Sequence, residues 1–291
     1  KVPNEADRMN VVDYMTGILG YSTSKSKRLL KDKKVKINGK VGYWDKRLKG
    51  GDIIEIDILE TSGQNIIPEN IPISVIYEDN YLLAVNKPPF MLVHPTPNHP
   101  DNTLLNAAAY YFSKKGEDIG LRLLNRLDMN TSGIVIIPKS SWMHNRLGEM
   151  MRGREITKVY KAVVEGIITP REGIIDQPIG KDTENSIKRK VVPGGQEAIT
   201  IYETIEELKG YSVVKLNLVT GRTHQIRVHL SHLGHPIVGD TLYGKKSDFI
   251  ERQALHASDM EFVHPMEGHL LKLHAELTDD ISELIHKLKQ E

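Results

Sequence analysis

The chain of 291 residues contains no cysteine. Disulfides and thiolate metal sites are thereby excluded, and a reducing compartment suits that composition. No apolar run approaches the roughly 18 residues that cross a bilayer, and no signal-peptide pattern opens the chain. The expected location is the cytoplasm, with no membrane partner. Nucleotide-cofactor and zinc fingerprints are missing too: there is no Walker A loop, no GxGxxG and no Cys/His set. The four histidines of "GRTHQIRVHLSHLGHP" (221–236) do not fill that gap, because no two stand four apart as in HExxH. Neither a metal nor a cofactor is expected. Length and ordinary proportions, 39% hydrophobic and 26% charged, suit one large globular domain plus a small one.

Net charge is only +1, but it is unevenly placed. Residues 22–49 carry eleven Lys and Arg against Asp32 and Asp45, a local +9. Such a block is an electrostatic footprint for a phosphate backbone; the plainer alternative is a solvated face with no partner. Ser22 or Ser24 can cap a short helix through Lys31, with Leu29 and Leu30 inward and Lys25, Arg28 and Lys31 on one face. Val35 and Ile37 then flank Lys36 in a strand closing on Asn38-Gly39, a type I′ turn signal because both positions take positive φ. Further on, Ile54, Ile56 and Ile58 alternate with Glu55 and Asp57, the pattern of a half-buried strand. A helix-plus-hairpin unit thus spans residues 1–60. "STSKSKRLLKDKKVKINGKV…KGGDIIEI" resembles an S4 (α-L) domain, a small RNA-binding module. The likeness implies that Lys25, Arg28, Lys31 and Lys34 dock on structured RNA. It departs at Lys33, where that family often carries Gly, so a differently shaped turn is expected after the helix.

"TSGQNIIPENIP" (61–72) has the composition of a linker, and residues 73–291 form the larger domain. There "ISVIYED", "YLLAVNKP", "GIVIIPKS", "KVYKAVVEGII", "AITIYETIEEL" and "YSVVKLNLVTG" read as strands. "NTLLNAAAYYF" and "HNRLGEMMRGREI" read as helices, and "RTHQIRVHLSHLG" places Ile226, Leu230 and Leu233 at roughly helical spacing. Strands with interspersed helices and no βαβ rhythm predict an α+β fold with a mixed, mainly antiparallel sheet.

The chemistry-bearing candidates each have a bland reading. In "NRLDMNTSGIVII" (125–137), Asp128 is most simply a turn former whose oxygens bond backbone N–H groups. The alternative is a carboxylate presented at the mouth of a buried strand, with Arg126 close by. Arg222 and Arg227 are suited to holding an anion, a protein carboxylate or an RNA phosphate, through forked hydrogen bonds; a surface helix is the alternative. Tyr160 alternates with Ala162 and Val164, so its ring points into the domain, as a core tyrosine would. "NKPPFMLVHP" (86–95) reads as a proline-stiffened loop, and "LHA" (255–257) shows no chemistry on its own.

Taken together and in this order, "VNKPPFMLVHP", "NRLDMNTSG", "TKVYKAVVEG", "VTGRTHQIRVHLSHLGHPIVGDTLYG" and "LHA…FVHP" resemble the RluA family of pseudouridine synthases. These enzymes convert uridine in RNA to its carbon-linked isomer without a cofactor. The resemblance implies the pseudouridine synthase fold with a central cleft, and Asp128 as the carboxylate that acts on the ribose. It further implies Arg227 paired with Asp128, Tyr160 stacked on the base, Leu255 as a pocket wall and Arg126 filling the space the uridine leaves. Lys87 and Pro88 would shape the cleft, with Lys87 among the residues that bind substrate RNA, and Arg222 would meet an RNA phosphate or a neighbouring loop. Many members carry His where this chain has Asn125, so that residue's packing or RNA contact is expected to differ. The expected partner is 23S ribosomal RNA and the expected state a monomer. A transfer-RNA synthase and an assembly factor with secondary or no catalysis are the alternatives. A glycoside hydrolase would need two carboxylates, where the "RLD" motif supplies one.

Overall fold

The computed structural model describes residues 1–57, 66–183 and 187–290. Ile58, the expected boundary at 60 and the first part of the linker (61–65) lie outside the described residues.

The N-terminal unit opens with helix α1 (Val11–Gly17), capped by Asn10, and helix α2 (Thr23–Lys31), capped by the Ser22 hydroxyl on the Lys25 N–H. Strands β1 (Val35–Ile37) and β2 (Lys40–Val41) form the expected hairpin, with Asn38 and Gly39 both at positive φ. Strand β3 (Ile54–Ile56) completes a small antiparallel sheet in the order β2-β1-β3. Met15, Leu29, Leu30, Val35, Ile37 and Leu48 pack beneath it as a separate core. The turn after α2 keeps a glycine-like shape despite Lys33, contrary to expectation. Lys33 takes φ +56, and the Lys33 and Lys34 N–H groups bond back to Leu30 and Leu29. A lysine held in the left-handed region costs on the order of 1 kcal/mol relative to glycine.

The larger unit begins with β4 (Ser74–Glu78), β5 (Leu82–Lys87), α3 (Leu104–Lys114), β6 (Ser132–Pro138), α4 (Ser141–Arg152) and β7 (Thr157–Glu165). It continues through β8 (Glu172–Asp176), β9 (Ile179–Lys181), β10 (Arg189–Val191), β11 (Ile199–Leu208), β12 (Tyr211–Leu218) and α5 (Gln225–His232). It closes with β13 (Leu255–Val263), β14 (Leu270–His274) and α6 (Asp279–Gln290). One sheet runs β4-β5-β6-β13-β7-β12-β11-β8, with β14 on β13; among the described strands only the β6–β13 pair is parallel. The fold is α+β with a mixed, mainly antiparallel sheet. Strands β9 and β10 form a separate ribbon.

Every residue of β6 is buried, because the sheet is covered on both faces. Ile134 and Ile136 pack with Met143 and Leu147 of α4, whereas Val135 and Ile137 join the core that holds Leu104 and Phe112 of α3. Strand β13, which drew no structural reading from the sequence, lies at the sheet's centre between β6 and β7. Gly133 makes the β6–β13 approach possible: its φ is +116, and a Cβ there would overlap the Ala257 backbone. Leu233 is more exposed than its spacing suggests, since α5 ends at His232. Residues 66–72 have no regular structure but are fastened to α3, with Asn106 donating to Ile67 O (2.9 Å) and bonding Glu69 through its carbonyl (3.1 Å). The two units meet where the Trp142 indole on α4 donates to Leu19 O at 2.7 Å.

Candidate active site

The approach to Asp128 is fixed first. Leu124 N–H bonds Ile136 O, and the Asn125 carboxamide then acts as a surrogate peptide group, donating to Ile134 O (2.9 Å) and accepting from Ile136 N–H (3.0 Å). Asn125 therefore extends the ladder of β6, which gives it a role the sequence left unexplained. At Asp128 the chain turns, with Thr131 N–H bonding the backbone carbonyl of Asp128 at 3.0 Å. The turn thus uses the main chain and leaves the carboxylate for a different partner.

Cations grip three successive residues of this turn. Arg227 Nη1 donates to Asp128 Oδ2 at 2.8 Å, Lys87 Nζ to Met129 O at 3.0 Å, and Arg252 Nη1 to Asn130 O at 3.0 Å. Lys87 is 0% exposed and also donates to Pro88 O (2.7 Å) and Met91 O (2.9 Å), so three carbonyls match its three donors. Burial presses its pKa down to about 7, with Arg252 adding to the effect and Asp128 opposing it. The expectation of RNA contact at Lys87 is corrected on this geometry: the ammonium faces carbonyls inside the protein and supports the turn from behind. Arg252 is fully buried as well. It forks onto Asp280 of α6 (2.7 and 2.9 Å) and donates to Leu255 O and Ser132 Oγ, tying the C-terminal helix to both sides of the site.

Arg227 is clamped from its far side. Nε and Nη2 form a fork with Asp240 (2.7 and 2.8 Å), whose carboxylate is fully buried and also accepts from Leu242 and Tyr243 N–H. The guanidinium lies 5.1 Å from the centre of the Tyr243 ring. Burial works against its charge, but the bonds to Asp240, and then Asp128, raise its pKa above the ordinary value. Only Nη1 is left for Asp128, so the fork aims one donor at one oxygen. His224 completes the group from a left-handed backbone, φ +57, at the start of α5. Its Nδ1 lies 2.8 Å from the Tyr243 hydroxyl, which itself accepts from Arg189 N–H. That hydroxyl donates to Nδ1, leaving the Nε2 proton facing Asp128 at 3.8 Å. Burial lowers the pKa of His224, against the pull of Asp128, so a neutral ring is the favoured form.

Asp128 opens onto a cleft of about 640 Å³ lined by Arg126, Arg154, Lys158, Tyr160, Arg222 and His224. Tyr160 on β7 is 8% exposed, and burial, reinforced by Asp128, raises its pKa and keeps the hydroxyl protonated. Leu255, at the start of β13, shares the wall near Arg227. Arg126 is exposed at the rim, while Arg222 donates through Nε to Glu197 O at 2.8 Å. The structure therefore brings Asp128, Arg227, Tyr160, Leu255, Arg126 and Arg222 together. Lys25, Arg28, Lys31 and Lys34 lie on the N-terminal unit: Arg28 and Lys31 are exposed, Lys34 reaches Asp57 (3.8 Å), and Lys25 sits in a crevice with Arg28, Arg122 and Trp142. Partial burial and the charges of Arg28, Arg122 and Lys34 lower the pKa of Lys25 to about 8.

Sequence reasoning missed Asp240, Tyr243, Arg252 and the part played by His224. "GDTLYG" advertises a turn, and Arg252 sits in "ERQALHA" with no periodic signal to mark it as buried. Among the described residues one group has metal-ligand spacing, Asp79, His264 and Glu267. His264 Nδ1 accepts from Met266 and Glu267 N–H, so its proton sits on Nε2, 3.0 Å from Asp79. A metal-bound histidine shows the reverse polarity, with its outer nitrogen donating.

The sequence profile of the RNA pseudouridylate synthase family matches residues 81–232. Over 284 residues the chain is 37% identical to ribosomal large subunit pseudouridine synthase D of Yersinia pestis, spanning 92% of this chain and 87% of that relative. An uncharacterized RNA pseudouridine synthase of Bacillus subtilis is 37% identical over 283 residues, 95% of this chain and 98% of the relative. The chain belongs to the RNA pseudouridylate synthase family. This RNA pseudouridine synthase is similar in fold to human RNA pseudouridylate synthase domain containing 4, with TM-score 0.62 and 24% identity over 74% of this chain and 92% of that one. Human RNA pseudouridylate synthase domain containing 1 is similar too, with TM-score 0.61 and 25% identity over 77% and 97%. The resemblance drawn from five ordered motifs holds. Of the synthase's candidate residues, Asp128, Tyr160 and Arg227 fall inside the matched segment, while Leu255 and the basic N-terminal unit lie outside it. No described helix is long and apolar enough to cross a membrane.

Proposed function

We propose that this synthase isomerises uridine in ribosomal large-subunit RNA, the 23S RNA, with Asp128 as the reacting carboxylate and no cofactor. The observation that carries this reading is the Arg227-held carboxylate of Asp128 in a cleft lined by the buried Lys158 and rimmed by the exposed Arg126, Arg154 and Arg222. Cations at the rim suit a polyanion, and one oriented carboxylate suits attack at, or proton removal beside, C1′ of a ribose. The isomerisation breaks the N1–C1′ bond, turns the uracil, and joins C5 to C1′. C5 loses a proton and N1 gains one, so no atom enters or leaves and no cofactor is required. Tyr160 and Leu255 would hold the detached base, base–aromatic stacking contributing about 1–3 kcal/mol. Arg126 would occupy the gap left by the flipped nucleotide, whose extrusion costs a few kcal/mol. The name of the Yersinia pestis relative supports the large subunit as target. The N-terminal unit would serve as an S4-type RNA-binding module through Lys25, Arg28, Lys31 and Lys34.

Asp128→Asn is expected to reduce pseudouridine formation by about a thousandfold or more while RNA binding persists. The check is pseudouridine mapping of 23S RNA, taken from cells lacking the gene and treated with each protein. Undiminished modification by Asp128→Asn rejects the assignment of the aspartate. Modification confined to transfer RNA rejects the substrate.

A further inference from the structure

Tyr43 and Trp44 stand side by side in solvent, 63% and 68% exposed. Single exposed apolar residues are ordinary, but tryptophan is on average well buried, and two adjacent exposed aromatics form a distinct feature. Neither ring belongs to the core of the N-terminal unit. Their immediate sequence, "KVGYWDKRLK", supplies Lys40, Lys46, Arg47 and Lys49 against one acid, Asp45.

The backbone that carries the rings is pinned on both sides. Gly42 N–H bonds Val35 O of β1 at 2.8 Å, and Lys46 N–H closes the turn onto Tyr43 O at 3.1 Å. Beyond it, Val11 N–H bonds Lys46 O, Leu48 N–H bonds Met9 O, and Arg47 donates to Arg8 O. Leu48 anchors the exit at 1% exposed. The aromatic pair is thus displayed by a fixed turn, and little ordering is needed before it meets a partner.

We infer that the Tyr43–Trp44 turn is a stacking site for unpaired RNA bases, with Lys40, Lys46, Arg47 and Lys49 meeting the phosphates on either side. The choice of partner follows from charge: the cores of protein–protein interfaces are depleted of lysine, whereas flat aromatic faces among cations match a single strand of nucleic acid. The site is remote in sequence from the cleft and on a separate unit, so it selects the RNA and takes no part in the isomerisation. This inference rests on the reading of RNA as substrate and adds a single-stranded element to what is recognised.

The test follows tryptophan emission of the full chain titrated with a short oligouridylate and with a blunt RNA duplex of equal length. The single strand is expected to quench emission more than the duplex does, and Trp44→Phe to remove that excess while keeping the affinity, since Trp142, beside Lys25 and Arg28, reports on both RNAs. Trp44→Ala is expected to weaken oligouridylate binding about tenfold, leave duplex binding as it was, and raise KM for substrate RNA. The inference is overturned if Trp44→Ala binds oligouridylate like the parent, if duplex and single strand weaken equally, or if the single strand's excess quench survives in Trp44→Phe. Pseudouridine formation without any Trp44 quench overturns the stacking site alone. Quenching by a protein that forms no pseudouridine supports the stacking site and overturns the assigned reaction.

Discussion

In the N-terminal unit the cations of residues 22–49 stand mostly in solvent, whereas around Asp128 three other cations, Arg227, Lys87 and Arg252, are buried against named acceptors. The first group is positioned by a helix and a hairpin and keeps its water and counterions, which the proposed RNA phosphates would displace. The second group has already exchanged water for carbonyls and carboxylates within the protein, so its charge organises a turn. Removal of an exposed cation weakens a long-range field and leaves the fold intact. Removal of a buried one strands its partners without water. The same residue types therefore fix geometry around Asp128, and in the N-terminal unit they are left in solvent, where the proposed role is RNA affinity.

Arg252→Met should give the largest effect on that comparison. It leaves the Asp280 carboxylate and several carbonyls without their cation, and a loss of about 3–5 kcal/mol is expected in chemical denaturation. Adding Asp280→Leu should restore part of it; a purely additive double mutant would show that the two do not act as a pair.

The next effect is in pH. His256, fully buried, donates from Nε2 to Ala275 O and accepts from Ser132 at Nδ1, and burial lowers its pKa from 6.5 to about 4. Below 6.5 the unfolded chain takes up a proton that the folded chain refuses until about 4. Stability should consequently fall as pH drops through that window, by up to about 3 kcal/mol. Thermal unfolding across this range measures the slope, and His256→Asn should flatten it.

On the exposed side, Lys31→Ala should change stability by less than about 0.5 kcal/mol. It should also reduce the slope of log binding constant against log salt by about one. An unchanged slope would remove Lys31 from the RNA-facing set. The smallest effect belongs to Lys33→Gly, which relieves the left-handed backbone and should stabilise the N-terminal unit by roughly 0.5 kcal/mol, read as a higher Tm.

Legibility followed the same division. The helix cap at Ser22 or Ser24, the buried Leu29–Leu30 pair and the Asn38-Gly39 hairpin could be read directly, because each rests on contacts within a few residues, and the structure chose Ser22. Most strands of the larger unit were legible from alternation or apolar runs, but β13 was not, although it lies at the centre of the sheet. The candidate site was half visible. Asp128, Arg227 and Tyr160 came from matching ordered motifs, while Asp240, Arg252 and the supporting role of Lys87 gave no local signal. Lys87 was legible as a residue of the cleft but not as one turned away from it.

The sequence by itself determined the locally encoded elements, the charge asymmetry between the two units and membership of the family. Tertiary structure alone decided which cation meets which acceptor. Arg227 lies 99 positions from Asp128, Lys87 lies 42 from Met129, and Arg252 lies 122 from Asn130. The Arg252 pair exists because β13 is inserted between β6 and β7, bringing the chain just before Leu255 beside the turn that carries Asp128, whereas Lys87 reaches Met129 because β5 pairs with β6, setting Lys87 opposite Gly133. Burial then makes an unmatched charge too costly to keep, so each cation must find its acceptor wherever the sheet order places one.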